Sequence, residues 1–188
     1  LMAQGVDLAG EPSEILSLMG AHARRLDAML AGLLAYSRVG RLQDIVTVEP
    51  QDVFKQVVSA LSPPENVDFF CHFNPSAVQM GQADVAKIFE ILLSNALTHG
   101  AGDAGQRIEV TSCKSGDVWE LMIADNGPGI PAEQIENAMK PMQRLSAGAE
   151  APSAGLGLFI LDRIVRHYGG EVVIETRRRR GGCLVRLR

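Results

Sequence analysis

From Ile15 to Arg38 the positions Met19, His22, Leu26, Met29, Leu33 and Tyr36 recur at alternating spacings of three and four. Leu30 and Leu34 widen the same stripe. That period is the one an amphipathic helix presents, and it predicts a single long helix over about 15–39. Gly10, Glu11, Pro12 and Ser13 precede it, with Ser13 as its cap, and Gly40 ends it. An apolar stripe of this length needs a partner, which is another helix, another chain, or the rest of this one.

After Gly40 the period changes repeatedly. A short strand is predicted at Ile45 to Val48, and a helix from about Gln51 to Leu61 opened by Pro50. A break follows at Ser62-Pro63-Pro64, then a strand at Val67 to Phe73. Val85, Ile88, Phe89, Leu92 and Ala96 keep helical spacing over about 84–97. Strands at Arg107 to Cys113 and Val118 to Ala124 flank a Lys-Ser-Gly-Asp turn at 114–117 and read as a hairpin. Residues 131–154 are rich in Ala, Gly, Ser and Glu and predict a long connection. A helix over about 156–167 stops at Gly169-Gly170, and strands at 171–176 and 183–188 make a last hairpin. Strands that mostly neighbour in sequence, with helices between pairs, predict an α+β fold: a two-layer sandwich of a mixed sheet with helices on one face. The long helix precedes it, so the chain divides into 1–42 and 43–188.

Composition narrows this picture without overturning it. The 188 residues are 46% hydrophobic and 21% charged, enough for one well-formed core. A net charge of -4 gives no global attraction to nucleic acid. No apolar run approaches the roughly 20 residues that span a bilayer, and the start carries no signal-peptide pattern. Cys71, Cys113 and Cys183 are odd in number and far apart, which argues against a disulfide framework or a zinc site. Buried free thiols and a cytoplasmic setting without nucleic-acid or membrane contact are the expectation.

Three stretches carry candidate chemistry: Asn95 in "ILLSNALTHG", Asp125 and the glycines of "ADNGPGI", and the glycine pair of "SAGLGLFIL". Taken singly, each has an ordinary reading as a locally bonded side chain, a plain turn, or a flexible entry to a helix. Their order and spacing together resemble the ATP-binding domain of sensor histidine kinases, within the wider group of gyrase, Hsp90, histidine kinase and MutL ATPases. The flanks extend the resemblance over nearly the whole chain. "LLAYSRVGR" at 33–41 is similar to the end of the second helix of a dimerisation and phosphotransfer hairpin. "PMQRL" at 141–145 and "IVRHYGGEVVIET" at 164–176 resemble the lid and the final helix and strand, with phytochrome-type kinases the nearest variety.

The resemblance implies a role for each residue, and the chemistry of each is consistent with it. Asp125 is an acceptor only, so it suits the exocyclic amine of adenine, where guanine would present an oxygen. Gly127 and Gly129 can reach positive φ and let the backbone pass beside the base, while Pro128 restrains the loop. Gly155 and Gly157, with Leu156 between them, open a helix whose unpaired amides would hold phosphates. Asn95 would offer a neutral oxygen to Mg²⁺, which keeps several waters and shares ligands with the phosphates. His99, one turn on, flanks the nucleotide or serves structure alone. Residues 131–154 would close as a lid, with Arg144 either on a phosphate or solvated.

The implied activity is ATP-dependent transfer of the γ-phosphoryl group to histidine and then to a response regulator receiver domain, in a chain that homodimerises through the hairpin. The division then becomes a partial hairpin at 1–42, with 1–14 its loop, and an ATP-binding domain at 43–188. Several positions depart from the pattern. Ile91 stands where many relatives carry Asn or Glu, Thr98 where a basic residue is common, Met142 at an aromatic lid position and Ser153 at a glycine. No His-acidic motif followed by proline occurs, so the phosphoacceptor is expected on a helix preceding this chain, and autophosphorylation of the chain alone is not expected. His22 lacks an adjacent carboxylate and reads as a packing position. Arg177 to Arg180 form a basic run that either contacts an acidic partner or makes a solvated hairpin turn. Two alternatives remain: a non-catalytic module that binds nucleotide or docks a response regulator, and a serine kinase acting on an anti-sigma partner, against which Ile91 counts.

Overall fold

The computed structural model describes residues 12–40, 43–74, 77–99, 105–116, 118–143, 155–176 and 183–187. Seven strands and five helices occupy them: α1 (Pro12–Arg38), β1 (Val46–Val48), α2 (Pro50–Leu61), β2 (Val67–Phe73), β3 (Val78–Met80), α3 (Gln82–His99), β4 (Gln106–Ser115), β5 (Val118–Asp125), α4 (Ala132–Ala138), α5 (Gly157–His167), β6 (Val172–Thr176) and β7 (Cys183–Leu187). The main sheet has five strands in the order β2-β4-β5-β7-β6, and β1 pairs with β3 in a separate two-stranded ribbon. β2 and β4 are parallel, while β4–β5, β5–β7 and β6–β7 are antiparallel, so the sheet is mixed as expected. The parallel pair requires a crossover, and α3 provides it.

Alternation sets the two faces of the sheet. Ile108 and Val110 of β4, and Leu121 and Ile123 of β5, turn to the side covered by helices and are almost wholly buried. Against them α3 places Val85, Ile88, Phe89, Leu92 and Leu93, and α5 places Ile160, Leu161 and Ile164. Burying a side chain such as Ile88 or Phe89 is worth roughly 1.5–3 kcal/mol each. Phe54 of α2 ties the layers at one end, with ring centroids 5.9 Å from Phe69, 5.3 Å from Phe73 and 5.7 Å from Phe89. The buried Ser112 hydroxyl accepts from Trp119 Nε1 at 2.9 Å, so the polar group inside this apolar layer is paired.

α5 is joined to the start of α3 by a polar clasp. Tyr168, at the end of α5, donates its hydroxyl proton to Asp84 Oδ2 at 2.7 Å and accepts from the Gly81 N–H at 3.0 Å. Burial, and then the bond to Asp84, push the Tyr168 phenol up to about 12.

The structure corrects the sequence reading in four places. Cys71 is exposed and Cys113 half-buried, so these two thiols are not buried as expected. β3 was not expected; its three residues, Val78, Gln79 and Met80, are too few to declare a period, and pairing with Val46–Val48 makes the strand. α4 lies in what the sequence presents as a continuous connection, because its seven residues put only Ile135 and Ala138 against the core. α1 uses its apolar stripe less than its length suggests. Met19, Leu26, Leu30, Leu33 and Leu34 stay exposed, and His22 with them. α1 meets the rest of the chain through Tyr36, at the end of the stripe, with Gly32 and Ala35 beside it and Val39 just after the helix. Tyr36 stacks on Phe159 of α5 with centroids 5.0 Å apart and planes 9° from parallel, and the Arg163 guanidinium lies 5.4 Å from the Tyr36 ring. The helices α2, α3 and α5 otherwise follow the predicted bounds to within about two residues.

Candidate functional site

α3, the end of β5, α4 and the start of α5 enclose a cleft of about 680 Å³, within the range usual for small-molecule sites. It is lined by Asn95, His99, Asp125, Gly129, Gly155, Leu156 and Gly157, so seven of the residues singled out from the sequence face one space. Gly127 does not line it; buried, it serves the turn. Arg144 and Ser153 lie outside the described residues, as do Arg177 to Arg180 and the last part, 144–154, of the connection taken as a lid.

Asp125 is the last residue of β5 and is held between two strands, opposite Ile108 on β4, while its neighbour Ala124 pairs with Leu184 on β7. Its Oδ1 accepts from the Gly127 N–H at 2.8 Å, a local Asx turn that fixes the carboxylate at the strand end. Asn126 braces the same turn. Its Oδ1 accepts from the Arg107 N–H at 2.9 Å and its Nδ2 donates to the Gly105 carbonyl at 3.1 Å. Gly129 has φ +74, a conformation that favours glycine, whereas Gly127 is not left-handed, contrary to the expectation for that position. The Gly127 N–H is needed by Asp125 instead.

Gly155 has φ +67, and a Cβ there would stand 2.6 Å from the Gln143 carbonyl oxygen. The Gly155 carbonyl accepts from the Met142 N–H at 3.0 Å, which ties the cleft residue Gly155 to the chain just after α4. Met142 itself is held at φ +62 and is half-exposed. Leu156 then caps α5 with an apolar side chain, which cannot accept from the first-turn amides. Those amides and the positive end of the helix therefore face the cleft without a side-chain cap. A Cβ on Gly157 would be 3.3 Å from Ile91 Cγ2 and 3.9 Å from Asn95 Oδ1, so the start of α5 lies directly against those two residues of α3.

Ile91 is buried and apolar at this contact, so the position can neither ligate a cation nor orient water. Thr98 turns its hydroxyl back to the Ser94 carbonyl at 2.7 Å. His99 is exposed at the end of α3, where the cleft opens. Among the described residues no group of three or more His, Cys, Asp or Glu side chains could hold a metal ion. No helix among them is long and apolar enough to cross a membrane.

The sequence reading missed part of the wall. Lys87 and Glu90 of α3 line the cleft about two turns and one turn before Asn95, and helical spacing from Asn95 through Ile91 leads to Lys87. Ala28, Ala31 and Gly32 of α1 line it too, and a Cβ on Gly32 would stand 2.6 Å from Leu156 Cδ1. The small residues on that face are legible in the sequence, but nothing there says what they approach.

Residues 80–188 match the family described as "Histidine kinase-, DNA gyrase B-, and HSP90-like ATPase". The sensor protein PfeS of Pseudomonas aeruginosa is 34% identical over 95 residues, covering 50% of this chain and 21% of that protein. The sensor protein RstB of Escherichia coli is 26% identical over 160 residues, covering 81% of this chain and 36% of that protein. The chain thus spans about a fifth and about a third of these two relatives. Among solved structures, the Acinetobacter baumannii histidine kinase AdeS superposes with a TM-score of 0.71 at 17% identity, over 95% of this chain and 84% of that one. The mycobacterial sensor histidine kinase MprB gives 0.66 at 21%, over 76% and 95%. At these identities the structures speak for the fold.

Proposed function

The chain belongs to the histidine kinase-, DNA gyrase B- and HSP90-like ATPase family, and from that premise we propose that it is the ATP-binding part of a two-component sensor histidine kinase. It would transfer the γ-phosphoryl group of ATP to a histidine on a separate helix, from which a response regulator receiver domain takes it. One observation carries this reading: Asp125, Asn95 and the Gly155–Gly157 entry to α5, distant in sequence, face one cleft. Asp125 reads the base through its acceptor oxygens. The uncapped start of α5 and the backbone at Gly155 hold the phosphates, and Asn95 stands beside them.

Catalysis in this arrangement consists of positioning and charge neutralisation, since the acceptor imidazole is itself a nucleophile when neutral. Mg²⁺ fits the described residues as an ion carried by the phosphates with Asn95 as one ligand, because among them no carboxylate cluster stands at the site. Bound there, it would neutralise phosphate charge. Residues 1–42 are read as part of a dimerisation hairpin and 43–188 as the nucleotide-binding domain, in a cytoplasmic setting. The exposed stripe of Leu26, Leu30, Leu33 and Leu34 supports a second helical hairpin as its partner, in a homodimer.

Calorimetry on the chain with Mg-ATP tests the reading. Saturable binding at submillimolar nucleotide, with GTP much weaker, is the expected result; no binding at millimolar ATP would overturn it.

A further inference from the structure

The cleft has a direction along α3. Gln106 Nε2 donates to the Ala96 carbonyl, and Ile108, two residues on, is paired with Asp125, so the base-reading carboxylate stands beside the C-terminal half of α3. Gly157 rests against Asn95 and Ile91. Lys87 is the next residue on that line, four before Ile91, where each step of four residues advances about 6 Å along the helix. A nucleotide laid with its base at Asp125 and its phosphates at the start of α5 therefore runs toward Lys87.

Charge points the same way. The ionisable residues lining the cleft, among those described, are Asp125, His99, Glu90 and Lys87. Lys87 is the one with a permanent positive charge, in a site that must accept a triphosphate. Its Nζ lies 2.7 Å from Glu90 Oε1, with the two side chains 32% and 51% exposed, so the ammonium is held at the cleft wall by a neighbour that water also reaches. Thr98 supplies no cation, and its hydroxyl is turned to Ser94.

We propose that Lys87 is the cation that contacts the terminal phosphate, passing from Glu90 to the γ-phosphate when ATP binds, with Glu90 as the placeholder that keeps it at the cleft. The exchange replaces one charge-assisted bond, to a half-exposed carboxylate, with another to a more highly charged group. ADP lacks the group that Lys87 would contact, so Lys87 acts as the residue that distinguishes ATP from ADP. This rests on the reading of the cleft as an ATP site.

The test is titration calorimetry of the whole chain with Mg-ATP and Mg-ADP. Lys87→Gln should weaken ATP about tenfold, the scale of one charge-assisted hydrogen bond, and leave ADP within about twofold. Lys87→Arg should restore most of the loss. Glu90→Gln should strengthen ATP by up to about threefold in the parent chain and have no effect on a Lys87→Gln background, as expected of two groups acting as one unit. Equal weakening of ATP and ADP, or no change in either, would overturn the assignment while leaving the ATP site intact. The ATP-to-ADP ratio is unaffected by any loss of folded protein, so it decides the matter even where a variant is less stable. Failure of the unsubstituted chain to bind ATP at all would instead remove the underlying reading, and this one with it.

Discussion

Asp125 and Gly155 line one cleft, as its base end and its phosphate end in the proposed reading, and they are held by different means. Asp125 terminates a strand paired on both sides, its own oxygen takes the Gly127 N–H, and Asn126 braces the loop against β4. Gly155 sits in left-handed backbone beside Met142, also left-handed, and leads into a helix whose cap residue is a leucine. The base end is thus a side chain fixed by a sheet, able to distinguish one base edge from another. The phosphate end is made of backbone amides, which recognise charge and tolerate little change of shape. Selectivity for the base and affinity for the phosphates should therefore fail separately.

The largest effect is expected at the base end. Asp125→Asn retains an oxygen to accept from Gly127 and so spares the turn, but it replaces the other carboxylate oxygen with a donor facing the adenine amine. A hydrogen bond to a charged group is worth about 1.5–3 kcal/mol, so ATP should bind roughly 100-fold more weakly. The melting temperature should stay near that of the parent, and the preference for ATP over GTP should narrow. Loss of affinity for both nucleotides with an unchanged ratio would show that Asp125 serves the turn and not the base.

A smaller loss is expected at the phosphate end. Alanine at 155 would have to adopt φ +67, costing about 1–2 kcal/mol, and its Cβ would meet the Gln143 carbonyl. Gly155→Ala should weaken ATP about tenfold and adenosine hardly at all. Equal weakening of both ligands would break the division between the two ends. At Gly157, where a Cβ would stand 3.3 Å from the Ile91 methyl and 3.9 Å from Asn95 Oδ1 and the backbone is helical, alanine should be the milder change.

The same contrast explains what was legible in the sequence. Side chains with a period or a distinctive chemistry could be read: the helices α2, α3 and α5, the strands of the main sheet, and Asp125 and Asn95 as chemistry. What depends on partners distant in the chain could not. β3 exists because Val78–Met80 meets β1, and α4 because Ile135 and Ala138 find the core. Gly127 was expected to need positive φ, yet its place is explained by the bond it donates to Asp125. The role of α1 as a cleft wall is not legible because most of its apolar stripe, Leu26 and Leu33 included, stays exposed, while contact is made by Tyr36 at the stripe's end and by the small residue Gly32 beside it. The place of Lys87 on the cleft wall likewise depends on a distant partner, the start of α5 lying against Ile91.

The smallest effect concerns the clasp that anchors the far end of α5. Tyr168 bonds Asp84 and Gly81, and its phenol is pushed up to about 12, above its ordinary value of 10. The folded state therefore holds this proton more tightly than the unfolded chain does. The stabilisation from that difference is complete below pH 10, falls as the pH rises from about 10 to about 12, and is absent above, where the phenolate would face the Asp84 carboxylate. Tyr168→Phe removes the proton and both hydrogen bonds, so its urea midpoint should be lower than that of the parent at pH 8 and the two should converge as the pH approaches 12. A gap between the two proteins that stays constant across this range would show that Tyr168 contributes packing alone. The clasp holds α5 relative to α3, so the substitution should also weaken ATP slightly more than adenosine, placing it with the phosphate end of the cleft.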